Sequence, residues 1–275
     1  MTAIIFAAIL AIVIGLICAI VLVLADKFMS VPVDERFPKI RECLPGANCG
    51  ACGYTGCDGY AQALIDNPDL KTNLCVPGGD GTAQAIADVL GKEAEDVIEM
   101  VAVVKCDGNC SVVKQRFEYK GVKTCEAANM FYGGAGTCSF GCIGLGDCAR
   151  ACPQNAICVE NGVAYVNSEL CIGCGICAKA CPHHIIELMP DVNRTLVLCS
   201  SHDKGAVVRK FCTNGCIACG KCTKTCPNGA ITLVNNLATI DYEKCTNCGA
   251  CRDACPVHCI VEKDISGIHR VAKYL

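Results

Sequence analysis

Two cysteine runs near the C-terminus constrain this chain more than any other feature. Residues 216–227 read C-I-A-C-G-K-C-T-K-T-C-P, and residues 245–256 read C-T-N-C-G-A-C-R-D-A-C-P. Each run has the spacing C-x2-C-x2-C-x3-C-P, in which three thiolates bind one [4Fe–4S] cluster and the fourth binds a neighbouring one. Zinc sites close at four ligands and use paired C-x2-C knuckles, so the runs favour iron–sulfur clusters over zinc.

This spacing is that of bacterial two-cluster ferredoxins, in which the fourth cysteine of each run reaches across to the other cluster. The first cluster is therefore predicted on Cys216, Cys219, Cys222 and Cys255. The second is predicted on Cys226, Cys245, Cys248 and Cys251. The stretch predicts a ferredoxin-like unit of the α+β class.

The same pattern occurs 74 residues earlier, which indicates a tandem duplication. The shift places Cys125 on Cys199 and Cys138 on Cys212, and it also aligns prolines, alanines and glutamates outside the cysteine runs. A short β-hairpin is predicted between the runs of each copy, at residues 156–166 with an Asn-Gly turn and at residues 230–240 with an Asn-Asn turn. The chain therefore contains two ferredoxin-like units.

The first copy departs from the pattern at Leu145, which stands where the second copy has Cys219. Because leucine cannot bind iron, Cys138 is the hypothesised replacement ligand. The predicted cluster then uses Cys138, Cys142, Cys148 and Cys181. Its neighbour uses Cys152, Cys171, Cys174 and Cys177. A three-iron cluster on three thiolates is the alternative.

A different motif precedes the duplication, at residues 44–57, which read L-P-G-A-N-C-G-A-C-G-Y-T-G-C. Its glycines allow the backbone to approach a cluster and to donate N–H bonds to the sulfurs. One self-contained [4Fe–4S] cluster is predicted on Cys49, Cys52, Cys57 and Cys75. A zinc knuckle is the alternative.

Five clusters use twenty of the 29 cysteines, which leaves a candidate for a sixth. Cys106, Cys110 and Cys125 are close in sequence and would need a fourth ligand. Cys158, Cys199 and Cys212 are the candidates for it. The alternative is that these are buried thiols, because sequence does not show which sulfurs meet in space. Cys18, Cys43 and Cys259 are interpreted as bystanders.

The N-terminal segment predicts a membrane anchor. Residues 4–25 carry no charge, and about twenty apolar residues span a bilayer as a helix. No basic residue precedes the segment, which argues against a signal peptide. Lys27, Arg36, Lys39 and Arg41 follow it and predict a cytoplasmic C-terminal side. The prediction is a single pass through the inner or plasma membrane, with the N-terminus outside and the cysteine-rich domains in the cytoplasm.

Composition excludes several functions. Disulfide scaffolds are short secreted chains, and this chain has 275 residues. A net charge of -3 without a basic tract excludes nucleic acid as a partner. No P-loop, no G-x-G-x-x-G after a strand and no Ser-His-Asp grouping is present. We therefore predict no catalytic residues and no substrate pocket, but an electron carrier.

The motif at residues 44–57, the apolar N-terminal segment and the downstream ferredoxin motifs together resemble the B subunit of the Rnf complex. That family belongs to a membrane-bound ferredoxin:NAD+ oxidoreductase coupled to Na+ or H+ transport. The resemblance implies reduced ferredoxin as the electron donor. It also implies membrane subunits and NAD-reducing flavin or iron–sulfur subunits as partners in a translocase.

The predicted architecture is one transmembrane helix, a small [4Fe–4S] domain and two tandem ferredoxin-like units. The boundaries are 1–26 for the anchor, 27–43 for a linker, 44–105 for the single-cluster domain, 106–190 for the first unit with its cysteine-rich lead-in, and 191–275 for the second. The alternatives are the electron-carrying subunit of another membrane oxidoreductase, such as a hydrogenase or quinone reductase, a reductive activator of a corrinoid protein, and a zinc-bound scaffold.

Overall fold

The computed structural model describes residues 2–29, 34–192 and 195–262. The first element is helix α1 (Thr2–Met29), which contains the uncharged segment. Its described side chains, which are Phe6, Leu10 and residues 12–24, are exposed. In the described part of the chain, no helix combines the length and the apolar character that a membrane crossing requires.

Three helices form a small N-terminal domain: α2 (Arg36–Cys43), α3 (Cys57–Asp66) and α4 (Gly79–Leu90). They pack around Tyr60 and Ile40, both fully buried. The stretch predicted as a linker therefore contains a helix, because Ile40 needs this core for burial. Residues 30–33 of that stretch lie outside the described residues. Helix α4 ends at Gly91, whose left-handed φ of 67° suits glycine.

The first ferredoxin-like unit consists of two antiparallel two-stranded sheets and three short helices. Its strands are β1 (Met100–Val104), β2 (Ile157–Glu160), β3 (Val163–Val166) and β4 (Ile186–Pro190). Its helices are α5 (Cys125–Asn129), α6 (Asp147–Ala151) and α7 (Ile176–Ala180). Strand β1 pairs with β4, and β2 pairs with β3 in the predicted hairpin. The first strand of this unit thus lies ahead of the boundary predicted at residue 105.

The second unit repeats this arrangement. Its strands are β5 (Thr195–Val197), β6 (Ile231–Val234), β7 (Leu237–Ile240) and β8 (Ile260–Glu262). Its helices are α8 (Gly205–Phe211), α9 (Lys221–Thr225) and α10 (Ala250–Asp253). Strand β5 pairs with β8, and β6 pairs with β7 in the second predicted hairpin. Residues 263–275 of the predicted unit lie outside the described residues.

The structure corrects one part of the repeat alignment. Cys106 follows β1 by two residues, and Cys199 follows β5 by two residues. These two cysteines are therefore structural equivalents, although the shift of 74 residues pairs Cys199 with Cys125. The first unit has a longer segment between its first strand and its first cysteine run. That insertion displaces the early cysteines from the register of the repeat.

The cores of both units combine strand residues with cysteines. In the first unit, Val104, Ile157 and Ile186 pack with Cys148 and Cys177. In the second unit, buried strand residues surround four buried cysteines of the two runs in the same way. The thiols are therefore held in apolar surroundings close to the backbone of loops and short helices.

Candidate metal centres

The four cysteines of the N-terminal motif lie together. Burial raises the pKa of the Cys75 thiol to about 11, and the neighbouring thiols of Cys57, Cys52 and Cys49 add to this increase. Asn48 fixes the turn into α3, because its Oδ1 accepts a hydrogen bond of 2.9 Å from the Cys57 backbone N–H. The structure thus brings together all four cysteines predicted here.

A second group, Cys152, Cys171, Cys174 and Cys177, lines one small cavity in the first unit. Backbone N–H groups point at two of its sulfurs: Ala102 donates to Cys171 Sγ at 3.4 Å, and Ala156 donates to Cys152 Sγ at 3.3 Å. Burial raises the pKa of Cys177 to about 12, with Cys171 and Cys174 next in effect. This group also matches its prediction.

The third group differs from its prediction. A cavity is lined by Cys125, Cys142, Cys148 and Cys181. Burial raises the pKa of Cys148 to about 11, with Cys125 and then Cys181 as the neighbouring thiols that add to it. Cys125 is buried at the start of α5, where the Thr124 side chain accepts a hydrogen bond from the Ala127 N–H. The structure therefore places Cys125, and not Cys138, in one group with Cys142, Cys148 and Cys181.

Cys138 belongs to a fourth group, between the two units. Cys106, Cys138, Cys199 and Cys212 line a cavity of about 620 Å³. A Cβ added at Gly141 would lie 3.5 Å from Cys138 Sγ and 3.7 Å from Cys106 Sγ. Burial raises the pKa of Cys138 to about 12, with Cys106, Cys199 and Cys212 as the contributing neighbours.

This central group is symmetric with respect to the duplication. Cys142 N–H donates to Cys106 Sγ at 3.3 Å, and Cys216 N–H donates to Cys199 Sγ at 3.3 Å. The residues two positions after Cys106 and Cys199 each donate a further N–H to these sulfurs at 3.4 Å. Cys138 and Cys212 each lie four residues before the first run of their unit. Each unit therefore contributes the same pair of thiols to one cavity.

The second unit holds two groups, of which the structure brings together all four predicted cysteines of one and Cys226, Cys245 and Cys251 of the other. Cys216, Cys219, Cys222 and Cys255 line one cavity together with Cys259. For the other group, burial raises the pKa of Cys251, and the thiols of Cys245 and Cys226 add to it.

Cys259, interpreted from sequence as a bystander, contacts the first of these groups. Its Sγ lies 3.6 Å from Cys255 Sγ. A hydrogen bond from the Cys259 thiol lowers the pKa of Cys255 to about 5, and the same thiol, when directed at Cys216 instead, lowers the pKa of Cys216. The lowered values favour the thiolate forms that bind metal.

The donor sets fit iron–sulfur clusters. Four cysteines line each site, and backbone N–H groups are directed at the sulfurs in several of them. Among the described residues, no three Cys, His, Asp or Glu side chains converge tightly enough to hold a single metal ion. A cubane spreads its thiolates over four irons and does not require such convergence.

Comparison with known proteins agrees with this chemistry. Three family models match the chain: an Fe-S cluster family at residues 44–77, the 4Fe-4S binding domain at residues 164–187, and the 4Fe-4S dicluster domain at residues 215–259. The chain is 42% identical over 247 residues to the B subunit of the Na(+)-translocating ferredoxin:NAD(+) oxidoreductase complex of Acetobacterium woodii, covering 90% of this chain and 74% of that protein. The chain belongs to the family of Rnf complex B subunits.

Two further relatives support the assignment. The B subunit of the proton-translocating complex of Clostridium ljungdahlii is 41% identical, with 90% of this chain and 88% of the relative covered. The B subunit of the ion-translocating oxidoreductase complex of Methanosarcina acetivorans is 37% identical, with 88% and 92% covered. This Rnf B-type chain is therefore an iron–sulfur electron-transfer subunit of an ion-translocating ferredoxin:NAD(+) oxidoreductase complex, in which it has partner subunits.

The remaining candidates of this Rnf B-type chain lie outside the six groups. Cys110 is exposed, and its sulfur lies against the hairpin turn at Gly162. Cys158 is exposed on β2, and Cys43 donates to the Lys39 carbonyl within α2 at 3.2 Å. Of the predicted sixth-cluster set, the structure therefore places Cys106 and two candidate fourth ligands, Cys199 and Cys212, in the central group, and Cys110 also lines that cavity.

One histidine, His183, connects helix α5 and a loop of the first unit through its ring nitrogens. The two ring nitrogens of His183 lie 2.6 Å from the Gly141 carbonyl oxygen and 3.0 Å from Asn129 Oδ1. His183 thus ties the end of α5 to the loop that carries Cys138 and Cys142. His184 and His258 close the turns after Cys181 and Cys255, because their backbone N–H groups donate to the carbonyls of these cysteines.

Proposed function

We propose that the chain carries electrons along six [4Fe–4S] clusters, held by six groups of four cysteines, or 24 of the 29. Four groups are those predicted from the motifs. The fifth, in the first unit, is Cys125, Cys142, Cys148 and Cys181. The sixth, between the units, is Cys106, Cys138, Cys199 and Cys212. Each cluster changes by one electron with little rearrangement, and thiolate ligation in buried surroundings keeps the potentials low.

The observation that carries this proposal is the continuity of the groups through space. At one end, Lys179 of α7 donates to the Cys49 carbonyl at 2.8 Å, and the Cys174 and Cys49 thiols are close enough to interact. In the middle, Cys142 N–H donates to Cys106 Sγ across the boundary between two groups. These contacts join the N-terminal group to the first unit and the first unit to the central group.

The central group is what joins the two units. Cys142 of the first unit donates its backbone N–H to Cys106, and Cys216 of the second donates its N–H to Cys199. Both accepting sulfurs belong to the central cavity. Without a cluster in this cavity, no electron carrier would lie between the groups of the two units. A cluster at the central site would therefore connect the clusters of the two ferredoxin-like units in one electron path.

The direction of flow follows from the ends of the series. Reduced ferredoxin delivers electrons to the second unit, whose Cys219 and Cys248 are exposed. The electrons leave from the N-terminal group towards membrane subunits and NAD-reducing flavin or iron–sulfur subunits. The energy released drives ions across the membrane. The relatives' names differ in this ion, which is Na(+) in one and the proton in another.

The membrane anchor predicted at residues 4–25, in the inner or plasma membrane, enters this proposal on the sequence alone, since no described helix qualifies as a membrane span. Its support is the length of this segment and its lack of charge. The cations that follow it place the clusters on the cytoplasmic side. This arrangement brings the N-terminal group, which follows the anchor in sequence, nearest to membrane partners.

The test is the metal content of anaerobically purified full-length protein. Six cubanes give about 24 irons and as many labile sulfides per chain, with broad brown absorption. About twenty irons would remove one proposed cluster, at four irons per cubane. Stoichiometric zinc with little iron and no colour would contradict electron transfer. Copurification of a flavin-bearing NAD-reducing subunit is expected and would separate this assembly from a hydrogenase or a quinone reductase.

A further inference from the structure

The second ferredoxin-like unit carries an uncompensated positive surface. Residues 204–240 contain five lysines and arginines and no aspartate or glutamate. The equivalent residues of the first unit, 130–166, contain one arginine and two carboxylates. The difference is therefore specific to one copy of the duplication.

The five cations are exposed and unpaired. They are Lys204, Arg209, Lys210, Lys221 and Lys224, which we call the basic rim. None of them forms an ion pair within the described residues, whereas Lys244 near Cys248 pairs with Asp241 at 2.8 Å and Arg252 pairs with Asp253 at 2.9 Å. The carboxylates of an acidic partner could therefore pair with the cations of the basic rim, whereas the cations near Cys248 already have a carboxylate partner.

The basic rim surrounds an exposed cluster ligand. Cys219 is exposed, and α9, which carries Lys221 and Lys224 three residues apart, begins two residues after it. Helix α8, which follows Lys204, begins in contact with the loop that contains Ile217 and Cys219. A Cβ added at its first residue, Gly205, would lie 2.1 Å from the Ile217 carbonyl oxygen. The cations of both helices thus flank the loop that presents Cys219.

The same face has an exposed apolar side chain beside the sulfur. Leu233 is 39% exposed on β6, lines the same cavity as Cys219 and lies 3.8 Å from the position of a Cβ at Gly220. An apolar centre with a charged margin is the usual anatomy of a transient protein interface.

We propose that the basic rim and the exposed Leu233 form the docking surface for a small acidic ferredoxin. The inference rests on the proposed function and specifies the place of entry. One electron leaves the cluster of the docked carrier, which is oxidised, and reduces the cluster held by Cys216, Cys219, Cys222 and Cys255. No bond is formed or broken. The exposed Cys219 sulfur is the closest approach that this surface offers to that group.

The test measures association of the full-length, cluster-loaded chain with a small acidic two-cluster ferredoxin under anaerobic conditions. The variant Lys221→Glu/Lys224→Glu is compared with Lys244→Glu, a single charge reversal near Cys248. At low salt we expect the double variant to associate about tenfold more slowly, because electrostatic steering acts on the association rate. At high salt the difference should shrink, because ions screen the charges. Lys244→Glu should associate as the wild type does.

Iron content and visible absorption of each variant show whether the clusters are intact, and dithionite shows whether they still accept electrons. An equal or larger effect of Lys244→Glu would overturn the proposed surface, as would an unchanged rate for the double variant. If the double variant loses binding to anionic vesicles but keeps its association with ferredoxin, the surface binds membranes instead. A wild-type chain that ferredoxin neither binds nor reduces would overturn the proposed function itself.

Discussion

The two ferredoxin-like units have the same arrangement of strands, but equivalent ligand positions differ in their exposure to solvent. Each has an outer two-stranded sheet, a hairpin and the same thiol pair at the central cavity. In the second unit Cys219 and Cys248 are exposed. Their equivalents in the first unit are Leu145, which is half-buried, and Cys174, which is buried beside the N-terminal domain.

This difference agrees with the proposed electron path, in which the two units occupy different places. The first unit has a neighbouring group on each side, the N-terminal group at Lys179 and the central group at Cys142. It has no need of an exposed ligand. The second unit is terminal among the described residues and presents sulfurs to solvent. Its surface charges differ accordingly, with Lys221 where the first unit has Asp147.

The largest expected effect tests what the two units share. The double variant Cys106→Ala/Cys199→Ala removes one thiolate of each unit from the central group, and we expect a loss of about four irons per chain. Reduction of the N-terminal cluster by ferredoxin should also be lost, because the path is interrupted. Iron analysis and freeze-quench spectroscopy measure both. Cys158→Ala, which removes an exposed thiol, is the control and should keep all its iron.

The second effect concerns the ligand that differs between the units. Cys125→Ala should lose about four irons. Adding Leu145→Cys, which places a thiol where the second unit has Cys219, should restore them. Cys138→Ala should also lose iron, but Leu145→Cys should not restore it, because Cys138 lies in the central group. Rescue of the Cys138 variant alone would reverse the two assignments.

A smaller effect is expected at Cys259, whose equivalent in the first unit is the buried Ile185. Cys259→Ile should retain full iron, since Cys259 is not a ligand in our assignment. It removes the thiol that hydrogen-bonds to Cys255, so the reduction potential of that cluster should fall. A spectroscopic redox titration measures this shift. Loss of iron in this variant would show that Cys259 is itself a ligand.

The smallest effect is expected for Asp147→Lys, which gives the first unit the charge of the second. Asp147 pairs with Arg150 and accepts a hydrogen bond from the Glu126 N–H at 3.0 Å. Losing these contacts at a partly exposed site should lower the free energy of unfolding by about 1 kcal/mol. Denaturant titration measures the change. Iron content and the association rate with ferredoxin should not change, because no ligand is exposed beside this position.

The local elements could be predicted from sequence because their signals are local. Both hairpins follow from their asparagine turns, and the end of α4 follows from Gly91. The helix α2 was missed because it was included in a stretch interpreted as a linker. Its signal was the spacing of Phe37 and Ile40, which both pack into the N-terminal core. The B-subunit family likewise followed from the order of the motifs together with the apolar N-terminal segment.

Sequence by itself determined the groups whose ligands lie in one motif or in a pair of interleaved runs, because cubane geometry fixes short spacings. Only the tertiary structure decided that Cys125 joins Cys142, Cys148 and Cys181, and which thiols form the central group. Cys106 and Cys199 are 93 residues apart, and an insertion removes them from the register of the repeat. Spacing carries no information at that separation. The packing of one unit against the other brings these thiols to one cavity.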